Sequence, residues 1–136
     1  MKSLKTSLKK AYEYDNHNDK KNDLIVLTAE NDKDKFSIKF KNLVYIQSEE
    51  NYISIFHLSN NNLNKTLFRK SLKSVLDEVY DSALIRCHRS YIINLQHLSM
   101  IEGNKNKLQL LLDHVPFKIP VSRNYADAII NLVDNK

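Results

Sequence analysis

Glycine, cysteine and long apolar runs are nearly missing from this chain. Gly103 is the only glycine among 136 residues, so no glycine-rich loop can cradle a nucleotide phosphate. Cys87 is the only cysteine. An intrachain disulfide framework is therefore excluded, and the usage fits a reducing, cytoplasmic compartment. No apolar run approaches the roughly 20 residues of a membrane helix. The basic start, Met1-Lys-Ser-Leu-Lys-Thr-Ser-Leu-Lys-Lys10, is followed by no apolar block and does not read as a secretory signal. The patterns His-Glu-x-x-His, Cys-x-x-Cys and Gly-x-Ser-x-Gly are missing too. Cys87, His88, His97 and His114 match no usual zinc-knuckle spacing, and His88 beside Ser90 has no acidic orienter close in sequence. The expectation is a protein without catalytic chemistry, metal or cofactor.

What is present is the composition of an ordinary soluble domain, 42% hydrophobic and 27% charged, long enough for one buried core. The formal charge of +5 is unevenly spread. Residues 1–21 hold six lysines against Glu13, Asp15 and Asp19, whereas residues 24–64 come out at −1. Residues 65–89 carry six basic residues against three acids, and 104–123 carry four against one. Two basic segments late in the chain are the pattern of one basic face, although charge runs are often no more than solvated surface.

Residues 1–23 are rich in Lys, Asn and Asp and show no sustained period. They read as a flexible leader with a short helix near Leu4–Tyr14, so the chain is expected to be either a stand-alone protein or an excised output domain, with residues 24–136 as its folded part. From Leu24 the pattern is β: Leu24–Thr28, then Phe36, Ile38 and Phe40 alternating with polar residues, then Val44–Gln47, Tyr52–Leu58 and Thr66–Phe68. The asparagine-rich stretch 59–64 takes the turn that glycine would otherwise make, because Asn tolerates the left-handed conformation. Leu72, Val75, Leu76 and Val79 then fall at helical spacing behind Ser71 as N-cap. A hairpin through Gly103–Asn106 joins 98–101 to 107–112. Phe117, Ile119 and Val121 form a last strand, and Ser122 caps a helix from Arg123 to about Val133. The fold class is mainly β: short antiparallel sheets of about ten strands, one mid-chain helix and a C-terminal helix.

The stretch Arg86-Cys-His-Arg-Ser-Tyr-Ile-Ile-Asn94 carries most of the functional signal. A solvated loop has no need of Ile92-Ile93, and a buried strand does not tolerate Arg-x-His-Arg, so the mixture reads as a polar loop anchored into a core. Arg pairs bidentately with guanine and Asn with adenine; Lys, Ser and helix-start amides hold phosphates without reading sequence. Such residues stand at three breaks in the pattern: Glu49-Glu50-Asn51, His88-Arg89-Ser90 and Ser122-Arg123-Asn124.

In order and spacing, four segments resemble the LytTR DNA-binding domain of LytR/AlgR-type bacterial transcriptional regulators. They are Leu43-Val-Tyr-Ile-Gln-Ser-Glu-Glu-Asn-Tyr52, Phe68-Arg-Lys-Ser-Leu72, Leu84-Ile-Arg-Cys-His-Arg-Ser-Tyr-Ile-Ile-Asn-Leu95 and Ile119-Pro-Val-Ser-Arg-Asn-Tyr125. The resemblance implies sequence-specific binding of double-stranded DNA in transcription regulation, by loops entering successive major grooves and bending the duplex. It places Asn51, Tyr52, Arg89 and Arg123 at bases. Lys70, Lys73, His88, Ser90, Ser122 and Asn124 would contact the DNA backbone or support the loops: the lysines and serines as phosphate contacts, and His88 as a support of the Arg89 loop, with a phosphate contact as its alternative. Partners expected beside DNA are a second copy on a repeated site and an upstream receiver or sensor domain. No clustered acids and no doubly wound α/β pattern precede Leu24, so that domain is not expected within this chain. The competing reading is a protein–protein interaction module that docks a partner through the Phe36/Ile38/Phe40 strand or the terminal helix.

Overall fold

The computed structural model describes residues 4–6, 23–79, 81 and 83–134. In chain order the elements are β1 (Leu4–Thr6), β2 (Leu24–Thr28), β3 (Lys35–Lys39), β4 (Leu43–Glu49), β5 (Tyr52–Ser59), β6 (Asn62–Phe68), α1 (Leu72–Glu78), β7 (Leu84–His88), β8 (Tyr91–Asn94), β9 (Leu98–Asn104), β10 (Lys107–Leu112), β11 (Ile119–Pro120) and α2 (Arg123–Asp134). Short 3-10 turns at Phe40–Asn42 and Leu95–His97 lead into β4 and β9. Mainly antiparallel β structure with a mid-chain and a C-terminal helix is as the sequence suggested.

The strands form three antiparallel sheets among the described residues: a five-stranded sheet ordered β6-β5-β4-β8-β7, a four-stranded sheet ordered β1-β9-β10-β11, and the β2–β3 hairpin. Alternation explains the large sheet. Ile46, Ile55 and Ile92 lie opposite one another across β4, β5 and β8 and are fully buried, each contributing about 1.5–3 kcal/mol by burial. Phe36 of β3 meets the rings of His57 and Phe68 at 5.2 and 6.4 Å, which seats the hairpin on the same face. On the other face Tyr45 stacks on Phe56 at 4.2 Å and receives the edge of Phe117 at 6.1 Å. One polar side chain is central to the core. Asn94 donates to the carbonyls of Phe40 and Leu43 at 3.0 and 2.7 Å and accepts from the Gln96 amide, so both ends of its amide are satisfied at zero exposure.

Local choices follow the residues. Asn60 and Asn61 take positive φ of 53° and 63° in the β5–β6 turn, the role expected of them in the near absence of glycine. Ser71 caps α1 by accepting from the Ser74 amide at 3.1 Å. Two expectations are corrected. Leu4–Thr6 is a strand whose register runs along Thr6↔Ile101 to Leu4↔Gly103, where a helix was expected; the remainder of Leu4–Tyr14 lies outside the described residues. The last strand shrinks to Ile119–Pro120: Phe117 leaves the ladder to set its ring edge against Tyr45, and beyond Pro120 only the Val121 amide still reaches β10, donating to the Leu108 carbonyl at 3.1 Å before Ser122 turns to β7.

Candidate nucleic-acid interface

The ladder brings the three sequence breaks to one end of the large sheet. Glu50-Asn51 is the turn joining β4 to β5, with Glu50 at φ 57°. Pairing of β4 with β8 sets Gln47 opposite Tyr91, and the Ser48 amide donates to the Ser90 carbonyl at 2.9 Å, so the Arg89-Ser90 turn stands beside the Glu50-Asn51 turn. A bulge in β7 between Arg86 and His88 releases the Cys87 carbonyl from the ladder. That carbonyl takes the Ser122 amide at 3.0 Å, which fixes the start of α2 next to the same turn. On the far side, β6 ends at this end too, since Ile53 pairs with Phe68. The order along the edge is Arg69, Asn51 with Tyr52, Arg89, Arg123.

The Arg89 turn is held from within. Arg86 donates through Nε to the His88 carbonyl at 3.0 Å and through Nη2 to the Arg89 carbonyl at 2.6 Å, charge-assisted bonds that fix both peptide planes. His88 Nδ1 accepts the Ser90 amide at 3.0 Å. Burial, then the positive charges of Arg89 and Arg86, push the His88 pKa below its usual 6.5, which keeps that acceptor lone pair available. His88 is thus bonded within the Arg89 turn. The Arg89 side chain projects into solvent, and no ion pair engages it among the described residues. Arg123 is likewise exposed, unpaired among those residues and first in α2, beside first-turn amides that have no intrahelical acceptor. Asn124 follows it, exposed.

Other expected contacts are placed differently. Lys70 is 5% exposed; its Nζ bonds the Thr28 carbonyl at 2.5 Å and pairs with Glu78 at 2.9 Å. Its ammonium is consumed in tying β2, β6 and α1 together, which leaves Lys70 the supporting role and no free charge for a phosphate. Lys73 is exposed on α1 and pairs with Asp77 at 3.3 Å. Ser90 is half-buried with both its amide and its carbonyl engaged. The Ser122 hydroxyl is shielded from solvent and has no hydrogen-bond partner among the described residues, so it would have to turn outward to meet a phosphate. Asn51 is exposed at the tip of its turn. Tyr52 is 39% exposed with the Arg69 guanidinium 5.5 Å from its ring centroid.

Two residues not singled out from sequence belong here. Arg86 and Arg69 both lie inside the motif segments, but neither alternation nor spacing shows that one grips a turn and the other stacks on Tyr52. No group of three or more His, Cys, Asp or Glu converges among the described residues. Burial pushes the Cys87 thiol up to about 12, leaving it protonated at neutral pH. No helix among the described residues is long and apolar enough to cross a membrane.

Comparison with known proteins bears on the same region. The family profile described as LytTr DNA-binding domain matches residues 33–134. The chain is 43% identical over 51 residues to an uncharacterized response regulatory protein of Vibrio cholerae, and 39% identical over 51 residues to one of Vibrio vulnificus. Each match takes in 38% of this chain but only 21% and 20% of the relative, so the chain spans about a fifth of the length of these curated relatives. Among solved structures, it is similar to the LytTr DNA-binding domain of a Bacillus cereus protein described as a methyl-accepting/DNA response regulator. That match has a TM-score of 0.60 and 22% identity, and covers 80% of this chain and 96% of the other.

Proposed function

This chain belongs to the LytTR DNA-binding domain family, and from that premise we propose that it binds double-stranded DNA sequence-specifically in bacterial transcription regulation. The observation that carries the reading is the convergence of the Asn51, Arg89 and Arg123 loops on one sheet edge, with both arginines exposed and unpaired among the described residues. Arg89 and Arg123 are the base readers, each discriminating by about 1–3 kcal/mol through a bidentate contact. Asn51 and Tyr52 read beside them. Lys73, Ser90, Ser122 and Asn124 lie along the phosphates, and Arg86 with His88 holds the central turn. The loops enter successive major grooves and bend the duplex, which adds readout through DNA deformability.

Selection from random duplexes, followed by titration of the enriched site against unselected DNA, tests this. Arg123→Ala is expected to weaken the enriched site far more than random duplex. Equal losses on both would make Arg123 a phosphate clamp and remove it from the base readers. The Vibrio relatives are response regulatory proteins, and on that analogy the domain serves as the output module of such a regulator, under a receiver or sensor domain. Of the two competing docking surfaces, the strand is unsupported: Phe40 and Ile38 are buried and Phe36 packs on Phe68, so it has no apolar face to offer.

A further inference from the structure

At the outer end of the recognition edge, Arg69 and Tyr52 stand one pair beyond Ile53↔Phe68 in the β5–β6 ladder, which explains how the guanidinium comes to lie 5.5 Å over the Tyr52 ring. Its Nε reaches a carboxylate oxygen of Glu30 at 3.5 Å, and both side chains of that pair are 53% exposed. Glu30 comes from the turn between β2 and β3, and this turn is fixed to β6 independently, by the Glu30 amide donating to the Arg69 carbonyl at 3.1 Å. The carboxylate therefore stays in front of Arg69 by backbone anchoring, while the ion pair itself is solvent-screened and weakly held. A guanidinium fork accepts a phosphate in the same geometry as a carboxylate. Lys70, the next residue, is walled into the core, so Arg69 is the cation that this segment presents.

We propose that Arg69 is a further DNA-backbone contact at the outer flank of the site, with Glu30 as a built-in counter-ion that occupies the phosphate position until DNA displaces it. The Tyr52 side chain, which hydrogen-bonds the guanidinium beside its ring, restrains Arg69 before DNA arrives, so little side-chain freedom is lost on binding. The proposal rests on the DNA-binding reading above and adds to it a contact and a restraint.

The test is a fluorescence titration of the whole chain against the enriched duplex and a random duplex over a series of salt concentrations. Arg69→Ala is expected to weaken both duplexes by a similar factor, about three- to tenfold, and to lower the slope of log affinity on log salt by about 0.9. Arg69→Lys, which keeps the charge, is expected to retain most of that slope. Glu30→Gln is expected to act in the opposite direction, tightening both duplexes. A purely structural ion pair would not produce this sign, since losing either partner would then do equal harm. Hydroxyl-radical protection is expected to retract at one flank with Arg69→Ala. An unchanged slope in Arg69→Ala, with Arg123→Ala still impaired, overturns the contact and leaves the DNA-binding reading standing. Weaker or unchanged binding by Glu30→Gln overturns the counter-ion role. If the wild-type chain shows no salt-dependent binding at all, the parent reading fails and this one with it.

Discussion

Arg86 is the side chain on which the central turn depends, because its bonds to the His88 and Arg89 carbonyls are made inside the structure and not to a ligand. Arg86→Ala should leave the molecule folded, as the side chain lies at the edge strand β7, but should release Arg89. The expected result is a specific-site affinity lower by about tenfold, with random-duplex affinity little changed; an unchanged specific affinity would show that the turn holds itself. His88 makes the same turn sensitive to pH. Its pKa is depressed, so its contribution is fully present above the usual 6.5 and is lost as pH falls through the lower folded value, when a proton on Nδ1 takes the place of the Ser90 amide. The ratio of specific to random binding should therefore fall below that range, and His88→Asn should flatten the fall. Using the ratio cancels the added positive charge, which by itself would strengthen contact with phosphates. Lys70 predicts the reverse separation: Lys70→Ala should cost about 1–3 kcal/mol in urea unfolding, by leaving the Thr28 carbonyl without its donor and Glu78 with the Thr28 amide but no cation, while leaving DNA affinity nearly intact. Sequence could not divide Arg69 from Lys70. They are adjacent cations at a strand end, where alternation stops and only the arrival of α1 and β2 decides which one is buried.

Elements were easier to read than contacts, for a physical reason. Periodicity records which side of a strand or helix is buried, so Leu24–Thr28, Tyr52–Ser59 and α1 with its Ser71 cap stand close to where the pattern puts them. The failures lie where the pattern is short or interrupted. Leu4–Thr6 is too brief to show a period, and the last strand is two residues long, with Pro116 before it and Pro120 within it. Gly103 shows how one residue can carry an element. It has φ 102°, and a Cβ there would lie 2.0 Å from the Lys107 carbonyl oxygen, so neither the conformation nor the space admits a side chain. Gly103→Ala should destabilise the β9–β10 hairpin by on the order of 1–3 kcal/mol from backbone strain, with more from the clash. Thermal unfolding would show it. The hairpin belongs to a different sheet from the recognition edge, so DNA affinity measured well below the melting temperature should hardly move; a large loss there would mean that the two sheets are coupled.

At the scale of the whole molecule, the sheet order sets a length. From β6 across β5, β4 and β8 to β7 there are four strand spacings, about 19 Å at roughly 4.8 Å each. The start of α2, hydrogen-bonded directly to Cys87 of β7, lies one further spacing, roughly 5 Å, on. The row from Arg69 to Arg123 is thus about 24 Å between backbones, and outward-reaching side chains at its two ends extend it toward the roughly 34 Å of one turn of the duplex. No sequence pattern could supply this dimension, because strand order is set by tertiary pairing; the motifs show which residues converge, not how far apart. If the row reads one face of DNA, the selected site should contain two short informative blocks about one helical turn apart, with weaker preference between them where bending is borne by deformability. Inserting about half a turn, roughly 5 base pairs, between the blocks should abolish specific binding, because the second block rotates to the far side of the duplex. Inserting a full turn should fail equally, since a single rigid row cannot stretch to twice its length. Recovery with the full-turn insertion would require two separate readers in phase, and would assign the blocks to two copies of the chain instead of to the two ends of one.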